Sequence, residues 1–286
     1  MNKKPITVYW ANDYDLIDDS SRDDLDWTLL FPLPKTLLHM VGENSSSSNS
    51  SYLACPAFYN KYKKVYVFSV GMDASYRYDY TEGKMEFEAT SYRWIPFDTR
   101  HQPTMNSLPL VNLATGWFFF SDEPLDAYFT PPIFHKPEYF KYGTIMPGEY
   151  NIGNWFRRYN SEFQMWDNKG IFEIKENEPL FYVEFKTDRP IILKRFNMNN
   201  QLDKIARGSV FSSNLFGKGQ TLLSRYVKFN NSGLRDKILK EIKMAIEITT
   251  NKVINLTLNT KFKLKLKATN GVKPLVWSTK ATLPNK

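Results

Sequence analysis

The chain is expected to fold as a mainly β protein: a β-sandwich core of jelly-roll type, with a C-terminal amphipathic helix and a basic β tail. The first reason is an aromatic run, Trp117-Phe118-Phe119-Phe120, in a β-like stretch that continues through Tyr128-Phe129-Thr130-Pro131-Pro132-Ile133-Phe134-His135 to Ile171-Phe172-Glu173-Ile174. A continuous apolar run of this kind marks a strand buried on both faces. The second is the alternation of Phe181, Val183 and Phe185 with Tyr182 and Glu184, the period of a strand with one face on a core. The third is the recurrence of short strand signals separated by Pro, Gly and Asn, which favours a sandwich or barrel. With 286 residues, 42% hydrophobic and 16% aromatic, the chain can bury a substantial core.

Taken in order, residues 1–51 form an acidic lead-in and a Ser-rich loop. Ile6 to Trp10 is read as an edge strand, and the prolines of Phe31-Pro32-Leu33-Pro34 favour an extended chain. Residues 44–51, Asn-Ser-Ser-Ser-Ser-Asn-Ser-Ser, are too polar to bury and predict a mobile loop. Residues 52–231 form the sandwich core, with strands expected at 65–70, 85–94, 110–120, 143–152, 162–166, 170–175, 180–187 and 190–196. Within it, 171–185 has the pattern of a hairpin, two apolar runs around the polar turn Glu176-Asn177-Glu178. Residues 232–286 form a basic helix-plus-strand tail. Leu234, Ile238, Leu239, Ile242, Ala245 and Ile246 have helical spacing, and beyond Asn251 the period returns to two.

The net charge of +8 lies at one end. Residues 232–286 carry 12 Lys and Arg against 3 Asp and Glu, so the rest of the chain is nearly neutral. Lys261, Lys263, Lys265 and Lys267 alternate with Phe262, Leu264 and Leu266, giving an amphipathic strand with one lysine-coated face. Lysines on an edge strand discourage pairing with another molecule, and the same face suits an acidic partner: nucleic acid, an acidic protein, or the acidic N-terminal segment of a second copy. Nucleic acid is the less favoured of these. No stretch approaches the roughly 18 apolar residues of a membrane span and the N-terminus lacks a signal-peptide core, so a soluble, cytoplasmic protein is expected. The single Cys55 excludes an intrachain disulfide, and its neighbours Leu53, Ala54 and Phe58 predict a buried, inert thiol.

Chemistry-bearing residues are scarce. A jelly roll that holds iron uses two histidines and a carboxylate, yet His39, His101 and His135 are widely spaced and none sits in a His-x-His or His-x-Asp pair. His101 and His135, with Glu149 or Asp98, are weak metal candidates. No Gly-x-Ser-x-Gly elbow occurs, and Gly208 to Gln220 lacks the Gly-Lys-Ser/Thr ending of a phosphate loop. No catalytic residue and no cofactor follow from these patterns. The strongest polar cluster is Gly148-Glu149-Tyr150-Asn151-Ile152-Gly153-Asn154-Trp155-Phe156-Arg157-Arg158. Arginines beside aromatic rings can clamp a carboxylate or phosphate, so Glu149, Asn151, Trp155, Arg157 and Arg158 are the ligand-binding candidates; the bland reading is that the arginines cover the core.

Cys55-Pro56-Ala57-Phe58, the aromatic strand, Thr130-Pro131-Pro132, the 143–155 segment and Glu176-Asn177-Glu178-Pro179-Leu180-Phe181-Tyr182 together resemble an uncharacterised β-rich family. Its members occur in bacteria and in T4-like marine phages that infect cyanobacteria and related hosts. The resemblance covers about residues 52–196, and the Thr-Pro-Pro turn and the Pro147 to Arg157 block are its most specific parts. It implies a phage or bacterial origin and a jelly-roll-like core, and it brings no activity or catalytic residues. The expected function is a non-catalytic virion component or intracellular binding module, as a homo-oligomer or among virion proteins. The alternative is a cupin-like metal-dependent oxygenase or other small-molecule enzyme.

Overall fold

The computed structural model describes residues 3–12, 32–44, 55–70, 73–81, 84–89, 97–98, 108–210 and 222–250. The first sheet runs in the order β14 (Ile191–Arg195), β1 (Ile6–Asn12), β7 (Leu110–Ser121), β11 (Arg158–Met165) and β9 (Gly143–Ile145), with β6 (Phe97–Asp98) also paired to β7. The second runs β10 (Gly148–Asn151), β8 (Asp126–Thr130), β13 (Pro179–Phe185), β3 (Val65–Ser69) and β2 (Lys35–Thr36). A third consists of β12 (Lys169–Ile174), β4 (Ala74–Thr81) and β5 (Lys84–Ala89), and its Tyr76, Tyr78, Phe172 and Ile174 join the same core. The protein is thus mainly β, with two packed sheets as a β-sandwich. Among the described strands, all pairings are antiparallel except β1 with β14, which is parallel.

The aromatic run of β7 organises the packing because successive side chains of a strand face opposite ways. Trp117 and Phe119 enter the sandwich core with Phe68, Phe129 and Phe181, whose rings lie 5.0 to 6.5 Å from theirs. Phe118 and Phe120 turn to the other face and meet Phe156 at 5.4 and 5.5 Å. That second face is covered by helices α3 (Asn200–Val210), α4 (Leu222–Asn231) and α5 (Leu234–Thr250), through Leu202, Ile205, Ala206, Phe229, Ile238 and Ile242. The prediction of a doubly buried strand holds, and α5 docks on its own sandwich. Arg235 at its start donates from Nη2 to the Ser121 carbonyl at 3.2 Å and from Nη1 to that of Gly153.

The outer face of the second sheet is covered as well. Tyr182, between Phe181 and Val183, packs with Leu37, Val65 and Val67 under α1 (Leu37–Asn44), with Met40 and Tyr62 alongside. Tyr62 and Phe58 of α2 (Pro56–Tyr62) make edge contacts with Phe134, at 5.0 and 5.4 Å.

Three sequence expectations are corrected. Ile6 to Trp10 is not an edge strand: β1 lies between β7 and β14 and is buried on both faces, because Tyr9 and Ala11 serve the helical side while Val8 and Trp10 serve the sandwich. Residues 171–185 are not a hairpin, since β12 pairs with β4 and β13 pairs with β3 and β8. The two strands instead turn a corner beside the β3–β4 connection. There Asn177 has φ 62°, its N–H donates to the Val70 carbonyl at 2.7 Å, and the Asp73 carboxylate accepts from Glu176 N–H at 2.6 Å. Cys55 is exposed rather than buried, because it is the residue before α2, where Pro56 starts a short surface helix; hydrogen bonds from Phe58 and Ala57 N–H lower its thiol pKa.

Candidate functional site

The block singled out by sequence forms one corner of the sandwich, and its side chains divide into turn-makers and an uncommitted donor group. Asn151 is a turn-maker. Its Oδ1 accepts from the N–H groups of Leu125 at 3.2 Å and Gly153 at 3.1 Å, and its Nδ2 donates to the Asp126 carboxylate at 2.8 Å. A side-chain amide engaged in this way fixes the connection after β10. Gly153 is required here, because a Cβ would strike the Glu123 carbonyl and the Pro124 backbone. Glu149 is exposed on β10 opposite Tyr128.

The two arginines have different surroundings. Arg158 begins β11 and responds to Asp203 and Arg207 of α3, with burial as the main cause of its lowered pKa. Arg157 lies toward the Tyr150 and Tyr159 side, where its charge acts on both phenols. Alternation along an extended chain separates adjacent side chains in this way. Arg157 lies over the Trp155 ring at 5.6 Å and donates from Nε to the Arg158 carbonyl at 3.3 Å.

Around Arg157 the corner collects donors. Trp155 is 6% exposed, rests against Tyr226 of α4 at 5.2 Å, and its Nε1–H is buried with no acceptor. The Tyr150 hydroxyl is likewise buried and unpartnered, on a ring stacked upon Phe129 at 5.4 Å with 4° between planes. Burial pushes the Tyr150 and Tyr159 phenols well above their ordinary pKa, so both stay protonated. An indole N–H and a guanidinium can only donate, and a protonated phenol can donate. Three donors around one corner, two of them buried without acceptors, suit a guest rich in acceptor oxygens.

The histidines take other roles or lie elsewhere. His135 Nδ1 is 2.5 Å from Tyr182 Oη, which also accepts from Phe134 N–H at 3.3 Å, and burial lowers its pKa. The pair locks the Thr130-Pro131-Pro132 turn onto β13, and Glu138 pairs with Lys141. His39 is exposed on α1. His101, residues 45–51 of the Ser-rich loop, and Lys261, Lys263, Lys265 and Lys267 fall outside the described residues. Among the described residues no three His, Cys, Asp or Glu side chains come together as a metal-ligating group. None of the described helices is long and apolar enough to cross a membrane.

Trp155 and Arg157 were legible as candidates from aromatic-basic interleaving. Tyr150 was missed, although it lies in the same block, because nothing in the sequence says that its hydroxyl is buried without a partner. No protein-family model, curated protein or solved structure matches this chain.

Proposed function

We propose that this protein is a non-catalytic binding module that holds an anionic group, a carboxylate or phosphate, at the Tyr150–Trp155–Arg157 corner. The observation that carries the reading is the pair of buried donors, Trp155 Nε1–H and Tyr150 Oη–H, left without acceptors beside the Arg157 guanidinium. Leaving each buried donor unmade costs about 1–3 kcal/mol, and an oxyanion offers acceptors to donors of this kind. The jelly-roll winding belongs to this reading; the antiparallel order β10-β8-β13-β3 facing β1-β7-β11 supports it, with the parallel β14 as an addition at one edge. A phage or bacterial origin is proposed with it, the module serving in the virion or in the host cytoplasm. The lysine-faced segment at Lys261 to Lys267 then supplies a second contact for an acidic partner or another copy.

The test follows the indole N–H signals of nitrogen-15-labelled protein by NMR while sodium phosphate or sodium acetate is added at constant ionic strength. The Trp155 signal, identified by its loss in Trp155→Phe, is expected to move and saturate. Arg157→Gln should weaken that response about tenfold, the value of one charge-assisted hydrogen bond. Saturation by phosphate alone or by acetate alone names the anion class. A Trp155 signal that stays still with both anions overturns the proposal.

A further inference from the structure

We propose that the face of β11 turned away from the sandwich core carries a second site, for a hard divalent cation, built from Asn112, Asn160 and Glu162. β11 places Asn160 and Glu162 two residues apart, hence on one face, and the β7 register sets Asn112 directly opposite Glu162. Asn112 is 1% exposed; its Nδ2 donates to Glu162 Oε1 at 2.9 Å. The remaining oxygens have no donor. Asn112 Oδ1, Glu162 Oε2 and Asn160 Oδ1 are all withdrawn from solvent without a hydrogen-bond partner. The same register row continues in backbone terms to Asp98, the Cα partner of Asn112 on β6.

The chemistry is the opposite of that at the Trp155 corner. Acceptor oxygens cannot satisfy one another, and a buried carboxylate oxygen on the same strand pair as buried, unpartnered amide oxygens calls for a positive guest. Carboxylate and amide oxygens are the ligands of Ca²⁺ and Mg²⁺, and of Mn²⁺ among the transition metals, whereas zinc and copper prefer nitrogen and sulfur. Two of the three groups are amides, so a search of the sequence for His, Cys and acidic residues passes the site by. The bulge between Tyr159 and Ser161 gives the site its shape, because it sets Asn160 against more than one residue of β7.

The experiment uses full-length protein dialysed against chelator, then titrated with Ca²⁺, Mg²⁺ or Mn²⁺ alone by calorimetry, with Mn²⁺-induced NMR broadening to locate the ion. Saturable binding at one site is expected, with broadening centred on residues 112 and 160–162. Glu162→Gln and Asn160→Ala should each weaken it about tenfold or more while far-UV circular dichroism stays unchanged. A buried water filling the same gap would leave the protein indifferent to all three metals, and that result overturns the proposal. So does broadening confined to other acidic surfaces, or a Glu162→Gln protein that binds as tightly as the parent. The anion titration at Trp155 is read independently, so either site can fail without the other.

Discussion

Arg189 illustrates how much one side chain can join. Its Nη1 and Nη2 donate to the two oxygens of Glu123 at 2.6 and 2.8 Å, and its Nε donates to the Lys4 carbonyl at 2.7 Å. The segment before β1 is thereby tied to the β7–β8 turn and to the β13–β14 connection. The hydrogen bonds from Arg189 hold the Glu123 carboxyl below its usual pKa. A depressed carboxyl contributes stability that is present above its unfolded value, about 4.3, and is lost as pH falls through the folded value. Glu123→Gln is therefore expected to be less stable than the parent at neutral pH and to show a shallower loss of stability below about pH 4.3, as the parent carboxylate protonates. Urea unfolding midpoints measured from pH 7 to pH 3 check this; parallel curves for the two proteins would remove the linkage. Tyr139 is a second such joint. Its buried hydroxyl shares its one proton between the Pro179 and Leu180 carbonyls, at 3.0 and 2.7 Å, which pins the 3-10 turn Glu138–Lys141 to the start of β13. Neither partnership could be read from the sequence, since the partners lie 66 and about 40 positions apart.

Among the elements, β9 shows why a strand can demand glycine. Gly143 pairs with Met165, and a Cβ there would run into the Gln164 carbonyl and the Phe163 ring. Backbone has to move to make room, so Gly143→Ala is expected to cost about 2–3 kcal/mol, at the upper end for overpacking. The fitted urea unfolding free energy checks it, and a loss below 0.5 kcal/mol, the ordinary surface level, would show that β9 yields freely. Strand existence was largely legible: β3, β7, β12, β13 and β14 lie close to the predicted segments, while 143–152 divides into β9 and β10 at Pro147. Pairing was less so. The apolar runs on either side of Glu176-Asn177-Glu178 satisfy a hairpin pattern, yet Asn177 and the contacts to Val70 and Asp73 turn them into different sheets. Helix α3 was not foreseen, although its signals are present. Asn199 Oδ1 accepts from Leu202 N–H at 2.9 Å as an N-cap, and Leu202, Ile205 and Ala206 supply an apolar face.

In the whole molecule, the first sheet is the common wall of two cores, and the chain segments that build it come from far apart in sequence. β1 and α5, from opposite ends of the described chain, both pack on β7, so contacts cross the positions 51/52 and 231/232 where composition changes. Ile238 and Ile242 are fully buried against Phe118, Phe120 and Phe156. Ile242→Ala should cost about 2–5 kcal/mol, the range for emptying a buried aliphatic site. Because both cores share β7, tryptophan fluorescence and far-UV circular dichroism should report one coincident urea transition in parent and variant. Two separated transitions would show instead that the helical layer melts by itself. By itself the sequence determined the mainly β class, the double burial of residues 117–120 and an amphipathic helix over 234–248, and it put Trp155 and Arg157 among its ligand-binding candidates. These depend on local periodicity and residue chemistry, which a single chain displays directly. Only the tertiary structure decided that β1 is interior, that residues 171–185 divide between sheets, that Cys55 is exposed, and that Tyr150, Asn112, Asn160 and Glu162 carry unspent polar atoms. Those outcomes depend on which distant segment covers each group, and burial without a partner is a property of the assembled packing rather than of any residue's neighbours in sequence.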